Sequence, residues 1–302
     1  MTRIFFIILI IIVIIGLNTT IVKADAFEGG KVILNYPDLS FIDNDSKIDI
    51  TAKAAIVADG DTGEILYAKN MAVKIPLASI TKLMSFSVLS DFNLDKDSVI
   101  ELKKEDLDNL KIYVAPNDKI SALNVNGGMF KIKDLFYAGL LKSANDAISA
   151  LVRSVGFNFY SFAKEMNKKA LQFGMSSTQF DEPTGLSVAN TGTARDLVLL
   201  ALNVFNDNFA QEITSKKSYN FNDFSNGKTI SFDSTNKLFH LLEGTSYKII
   251  AGKTGYLDES GYNLVVKVQN GKEFIIVVLG SRSDEERFTD TFKLIKWIDS
   301  YK

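Results

Sequence analysis

"YKIIAGKTGYLDESGYNLVVKVQNGKEFIIVVLGS", residues 247–281, holds three β-rich runs in succession. "LDES" separates the first two, and Asn270-Gly271, a strong tight-hairpin signal, separates the second from the third. Further back, "ITAKAAIVADGDTGEILYAKN" (50–70) reads as two more strands around the turn cluster "DGDTG". The chain between them changes period. In "PLASITKLMSFSVLSD", Pro76 stands ahead of a helical pattern in which Leu83, Met84, Val88 and Leu89 recur every three to four residues. "IKDLFYAGLLKSANDAISALVRSV", "FYSFAKEMNKKALQFGM" and "TARDLVLLALNVF" continue that pattern, and "DEERFTDTFKLIKWIDSY" closes the chain as an amphipathic helix. Strands, a helical middle, strands and a final helix predict an α+β fold. The two strand groups join as one antiparallel sheet with the helical block beside it.

A chain of 302 residues supports a substantial core. The net charge of −2 gives no reason to expect nucleic acid as a partner. Cysteine is absent, which removes disulfides, thiol catalysis and thiolate metal sites. One histidine, His240 in "NKLFHLLEG", leaves little material for a Ser-His-Asp triad or a multi-histidine zinc site, and it reads as structural. Proton transfer then falls to lysine or carboxylate, and no metal or other cofactor is expected.

The first residues read as a leader. Arg3 precedes the apolar run "IFFIILIIIVIIGL" (4–17), and the small residues of "KADA" follow. The pattern fits a cleaved secretory signal over 1–26, with an uncleaved N-terminal anchor as the alternative. Both place the rest of the chain outside the cytoplasmic membrane, in the cell wall or periplasm. Residues 27–50 mix Gly, Pro, Asn and Asp and read as a linker, leaving 51–302 as the main domain.

Three short motifs carry the chemistry. "ASITKLMS" (78–85) sets Ser79 three residues before Lys82, "KSAND" holds Ser143 and Asn145, and "GKTG" holds Lys253, Thr254 and Gly255. Each is commonplace alone: a serine cap, a helix-end turn, a strand end. In this order, 64 and 110 residues apart, they are the signatures of penicillin-recognising serine enzymes. Residues i and i+3 of a helix are neighbours, so Lys82 can reach Ser79. A free lysine is protonated at neutral pH, but burial and a second cation, Lys253, would favour the neutral amine. Ser143 would relay a proton and Asn145 would orient the substrate amide. Thr254 would meet a substrate carboxylate. The N–H groups of Ser79 and Tyr256 would form an oxyanion hole, and Gly255 presents no side chain to obstruct it.

At these residues the chain resembles the D-alanyl-D-alanine carboxypeptidases of serine peptidase family S11, the low-molecular-mass penicillin-binding proteins. "IVADGDTGEILYAKN", "FDEPTGLSVANTGTARDLVLLA", "STNKL" and "GKTGYLDESGYNLV" extend the likeness over about residues 52–300. The resemblance implies a five-stranded antiparallel sheet flanked by helices, with a helical subdomain. It implies Ser79 as acylated nucleophile, Lys82 as base, Ser143 and Asn145 as the second motif, and Lys253, Thr254 and Gly255 as the third. It further implies stem peptides ending in D-Ala-D-Ala as substrates, β-lactams as covalent inhibitors, and a part in cell-wall remodelling. Ala144 stands where many members have glycine. The chain ends soon after Trp297, without the β-rich C-terminal domain of longer members. The shorter branch includes D,D-endopeptidases that cut crosslinks, and the motifs do not separate the two activities. Two rivals remain open at this point. One is a class A-like β-lactamase, for which Glu182 lies 39 residues after Ser143 although the asparagine expected soon after it is absent. The other is a non-catalytic wall-binding protein.

Overall fold

The computed structural model describes residues 48–114, 122–123 and 127–301, together with two short strands, Phe27–Glu28 and Lys31–Val32. Those two strands pair antiparallel within a unit spanning 1–41, separate from the main body of 42–302. The expected leader, residues 1–26, lies outside the described residues.

Five strands form the central sheet: β1 (Ala54–Asp59), β2 (Ile65–Lys69), β3 (Lys248–Leu257), β4 (Gly261–Asn270) and β5 (Lys272–Ser281). Their spatial order is β3-β4-β5-β1-β2, antiparallel throughout. Ile276 pairs with Val57 and Val277 with Ile56, so the first hairpin joins the C-terminal meander across the β5–β1 seam as expected. The β4–β5 hairpin closes at Gly271, with Asn270 opposite Lys272.

Helices follow in chain order: α1 (Thr81–Leu89), α2 (Lys104–Lys111), α3 (Ile132–Leu141), α4 (Asn145–Ser154), α5 (Phe159–Gln172), α6 (Ala194–Val204), α7 (Asn208–Thr214), α8 (Leu238–Leu241) and α9 (Asp284–Tyr301). One face of the sheet packs Val57, Val266, Ile276 and Val278 against Phe288, Leu294, Ile295 and Ile298 of α9. The other face meets α6 across β1 and β5. Covering both faces explains why "FIIVVLGS" is apolar without alternation. Each such buried Val or Ile stabilises the fold by roughly 1.5–3 kcal/mol.

The helix end read at "KSAND" is present: the apolar pattern through residues 131–155 breaks between α3 and α4, where Ser143 takes φ +69°. Leu141, Ala144, Ala147 and Ile148 are all buried, so the periodicity runs straight across the break. Helix α1 is buried at every residue, serines included, instead of presenting one apolar stripe. Ile50, assigned to the linker by composition, is buried and joins the core, with Ile48 packed against it.

Candidate active site

Ser79 lies in a single 3-10 turn, Ala78–Ile80, that leads directly into α1. The preceding pair Ile75–Pro76 is strand-paired to Thr191–Gly192, and the Leu77 N–H donates to the Asn190 carbonyl at 2.7 Å. From the sheet, Asn263 Nδ2 donates to the carbonyls of Pro76 (3.1 Å) and Leu77 (3.3 Å). A Cβ on Gly255 would stand 2.9 Å from the Leu77 carbonyl, so β3 reaches this turn only because residue 255 has no side chain. On the opposite side, a Cβ on Gly185 would fall 2.0 Å from the Ala78 carbonyl oxygen. The turn carrying Ser79 is thus held between β3 and the 181–191 loop. Ala78 at φ +50° and Ser143 at φ +69° are two non-glycine residues in the left-handed region, both at the site, where strained backbone tends to gather.

The three motifs converge here. Lys82 Nζ lies 2.9 Å from Ser79 Oγ, 2.6 Å from Asn145 Oδ1 and 2.5 Å from the Thr184 carbonyl. Lys253 Nζ lies 3.0 Å from Ser143 Oγ and 2.9 Å from its neighbour's carbonyl, that of Thr254. The Thr254 and Thr235 hydroxyls are 2.6 Å apart. Arg287 of α9 donates from Nη1 to the Gly255 carbonyl at 3.0 Å and pairs with Asp284. Tyr256 follows on β3, exposed and stacked on Tyr262 with ring centroids 4.2 Å apart, its hydroxyl bonded to Asp258. All eight residues singled out from the sequence lie in this assembly. His240 is elsewhere, exposed on α8 with Nδ1 3.8 Å from Glu243.

Both lysines are fully buried. Burial pushes the Lys82 ammonium down to about 7, against the opposing pull of Glu182 and Asp146. Burial also drives Lys253 well below the usual lysine range, and Lys82 and Arg287 push it further the same way. Of the two causes expected for Lys82, burial and the second cation Lys253, burial is the leading one. Desolvation is the first cause at both lysines, with Glu182 and Asp146 opposing it at Lys82 and the cations Lys82 and Arg287 adding to it at Lys253. Around neutral pH, Lys82 is poised between its two forms.

Sequence reasoning missed several members of the site. The Thr184 carbonyl is a backbone group and leaves no mark on residue identity. Asn145 bonds Lys82 directly, a contact between residues 63 apart. Thr235 stands inside the quoted block "STNKL" without a chemical reason attached, and Glu182, inside "FDEPTGLSVAN", reads there only as the glutamate a β-lactamase would need. The Glu182 carboxylate accepts hydrogen bonds from the Thr184 N–H and hydroxyl, the Gly185 and Ser187 N–H groups and Asn190 Nδ2. Donors of its own loop fill it, which speaks against the water-activating role that a β-lactamase would need.

A sheet of this order, with a serine and two buried lysines joined through Ser143 and Asn145, defines a penicillin-recognising serine enzyme. The family model for D-alanyl-D-alanine carboxypeptidases, peptidase family S11, matches residues 42–283, and the chain belongs to that family of serine hydrolases. It is 31% identical over 255 residues to a D-alanyl-D-alanine endopeptidase of Pseudomonas aeruginosa, covering 83% of this chain and 78% of the relative. It is 26% identical to the D-alanyl-D-alanine carboxypeptidase DacF of Bacillus subtilis, covering 88% of this chain and 68% of the relative. The crystal structure of the Streptomyces K15 DD-transpeptidase superposes with a TM-score of 0.75 at 28% identity, over 83% of this chain and 98% of that one.

Proposed function

We propose that this protein hydrolyses D-alanyl peptide bonds of peptidoglycan stem peptides through an acyl-enzyme on Ser79. The observation that carries the reading is the arrangement around Lys82 Nζ. A neutral amine has two N–H bonds, and two acceptors, Asn145 Oδ1 and the Thr184 carbonyl, stand ready for them. The lone pair is then left for the Ser79 hydroxyl at 2.9 Å. In that state Ser79 donates its proton to Lys82 as its oxygen attacks the D-alanyl carbonyl. The N–H groups of Ser79 and Tyr256 receive the oxyanion. Lys82 then gives that proton up to the departing amine, with Ser143, held by Lys253 at 3.0 Å, as the relay, and returns to its neutral form. Thr254, with Thr235 beside it, receives the terminal carboxylate. Water then attacks the acyl-enzyme, with Lys82 again taking the proton, and Ser79 is released. β-Lactams enter by the same attack and leave slowly.

Two D-alanyl bonds suit this chemistry. Removal of a terminal D-alanine is the activity expected from the sequence. Cleavage of crosslinks is the second reading, favoured by the likeness to an endopeptidase at 31% identity and by the larger share of that relative's length that the chain covers. The test offers purified protein a pentapeptide and a crosslinked dimer. Release of D-alanine supports the first reading and splitting of the dimer the second, and Ser79→Ala should abolish either while the fold persists. An alanine variant as active as wild type would overturn the mechanism. The leader reading adds that the enzyme works outside the cytoplasmic membrane, which cell fractionation tests.

A further inference from the structure

Glu182 is a wholly buried carboxylate beside the reactive lysine, and the reaction outlined above leaves it without a part. Its Oε2 accepts from the N–H and the hydroxyl of Thr184, each at 2.6 Å. Its Oε1 accepts from the Gly185 N–H, from the Ser187 N–H at 3.3 Å and from Asn190 Nδ2 at 2.7 Å. Asn190 closes the clasp. Its Oδ1 accepts from the N–H groups of Asp181 (2.6 Å) and Glu182 (3.2 Å), and its carbonyl holds the Leu77 N–H at 2.7 Å. Five donors occupy the lone pairs of this carboxylate, so it is built to hold a loop. That loop touches the reactive pair twice. The Thr184 carbonyl stands 2.5 Å from Lys82 Nζ, and Gly185 packs against the backbone of Ala78 and Ser79.

We propose that Glu182 is a positioning residue for acylation: its carboxylate folds residues 182–190 so that the Thr184 carbonyl orients the Lys82 amine and Gly185 seats the Ser79 turn. The inference rests on the acyl-enzyme reading above and gives that reading a part it lacked. Charge adds a second effect. The charged groups about Lys82 are Glu182 on this loop, Asp146 at the start of α4, and Lys253 on β3 with Arg287 of α9 behind it. Glu182 and Asp146 favour the ammonium form that burial opposes. Losing the Glu182 charge therefore moves the acid limb of acylation to lower pH, whereas losing its hydrogen bonds lowers the plateau.

The test is acylation of the full chain by a fluorescent penicillin, followed across about pH 5–9 to include both limbs of the profile. Wild type is compared with Glu182→Gln, which keeps the shape and removes the charge, and with Asn190→Ala, which keeps the charge and opens the clasp. Thermal melts check folding. In Glu182→Gln the plateau should fall about tenfold or more, because misplacing a group by about 1 Å can cost about 10²-fold. Its acid limb should move down by about one pH unit, the scale on which one neighbouring charge shifts a titration. Release of the bound penicillin should slow no more than acylation does, since both steps use the same Lys82 amine. Asn190→Ala should show the lower plateau with the limb unmoved.

Wild-type plateaus in both variants would overturn the proposal. So would a Glu182→Gln protein in which only release slows, since that would make Glu182 a base for water. If Glu182→Gln does not fold, a wild-type plateau in Asn190→Ala is sufficient to overturn it. Absence of acylation in the wild type would instead overturn the acyl-enzyme reading itself.

Discussion

Asn145 Oδ1 lies 2.6 Å from Lys82 Nζ, so the second motif binds the first directly. Asn145 is the first residue of α4, following the left-handed Ser143 and the extended cap residue Ala144. Replacing Asn145 with Ala removes one of the acceptors that fix the amine. Hydrogen bonds to charged groups contribute about 1.5–3 kcal/mol, so acylation by penicillin should slow by roughly ten- to a hundredfold. Stopped-flow labelling measures this, and a rate within twofold of wild type would show that Asn145 does not orient Lys82.

The acylation rate should rise with pH through about 7, the value to which burial pushes Lys82, because only the neutral amine accepts the serine proton. Stability should move in the same direction. Both lysines bind protons less readily folded than unfolded, so between about 7 and 10.5 the unfolded chain carries more protons. Stability then increases with pH over that window and is lost as pH falls toward its lower end. Tyr247 and Tyr256, pushed up to about 12, oppose this at the alkaline end. Melting temperature against pH checks the sign, and the slope should be shallower in Lys82→Met.

Gly185→Ala places a methyl carbon 2.0 Å from the Ala78 carbonyl oxygen, at a residue with φ +87°. Neither the Ser79 turn nor the clasped loop has room to yield. Overpacking and backbone strain together should cost about 2–4 kcal/mol, and penicillin labelling should disappear with them. Denaturant titration beside labelling checks both parts. A stable variant that still acylates would mean that the contact relaxes freely.

Asn263 is fully buried, donates to the carbonyls of Pro76 and Leu77, and accepts the Gly280 N–H at 2.9 Å. It ties the sheet to the turn holding Ser79, the proposed nucleophile. Asn263→Ala leaves buried partners unsatisfied, a loss of about 1–3 kcal/mol for each group. Slower acylation should accompany the lower melting point. A drop in stability with unaltered acylation would assign Asn263 to the scaffold alone.

These effects show which parts of the molecule could be read from residue types. The β4–β5 hairpin was legible because Asn-Gly between β-rich runs has few other conformations. The site was legible because three motifs in fixed order name side chains that do chemistry. The helix end at "KSAND" was legible, but the new helix that starts at Asn145 was not, since residues on both sides bury their apolar faces in one core and preserve the helical period. The Thr184 carbonyl was hidden because every residue has one. Glu182 invited a catalytic reading when its surroundings were unknown, and five donors from its own loop replaced that reading. The total burial of α1 was hidden too, since Ser85 and Ser87 suggest an exposed face. Ser85 Oγ instead bonds the Pro183 carbonyl at 2.5 Å.

That burial also bears on how the molecule breathes. Lys82 lies on a helix closed in at every residue, with Ser79 one turn before it. The amides of α1 should exchange with deuterium only when the whole body opens, while the exposed rim exchanges by local fluctuation. Substrate must therefore come to a centre that does not flex to meet it. Any agent that loosens the core should silence the serine well before the chain loses its secondary structure.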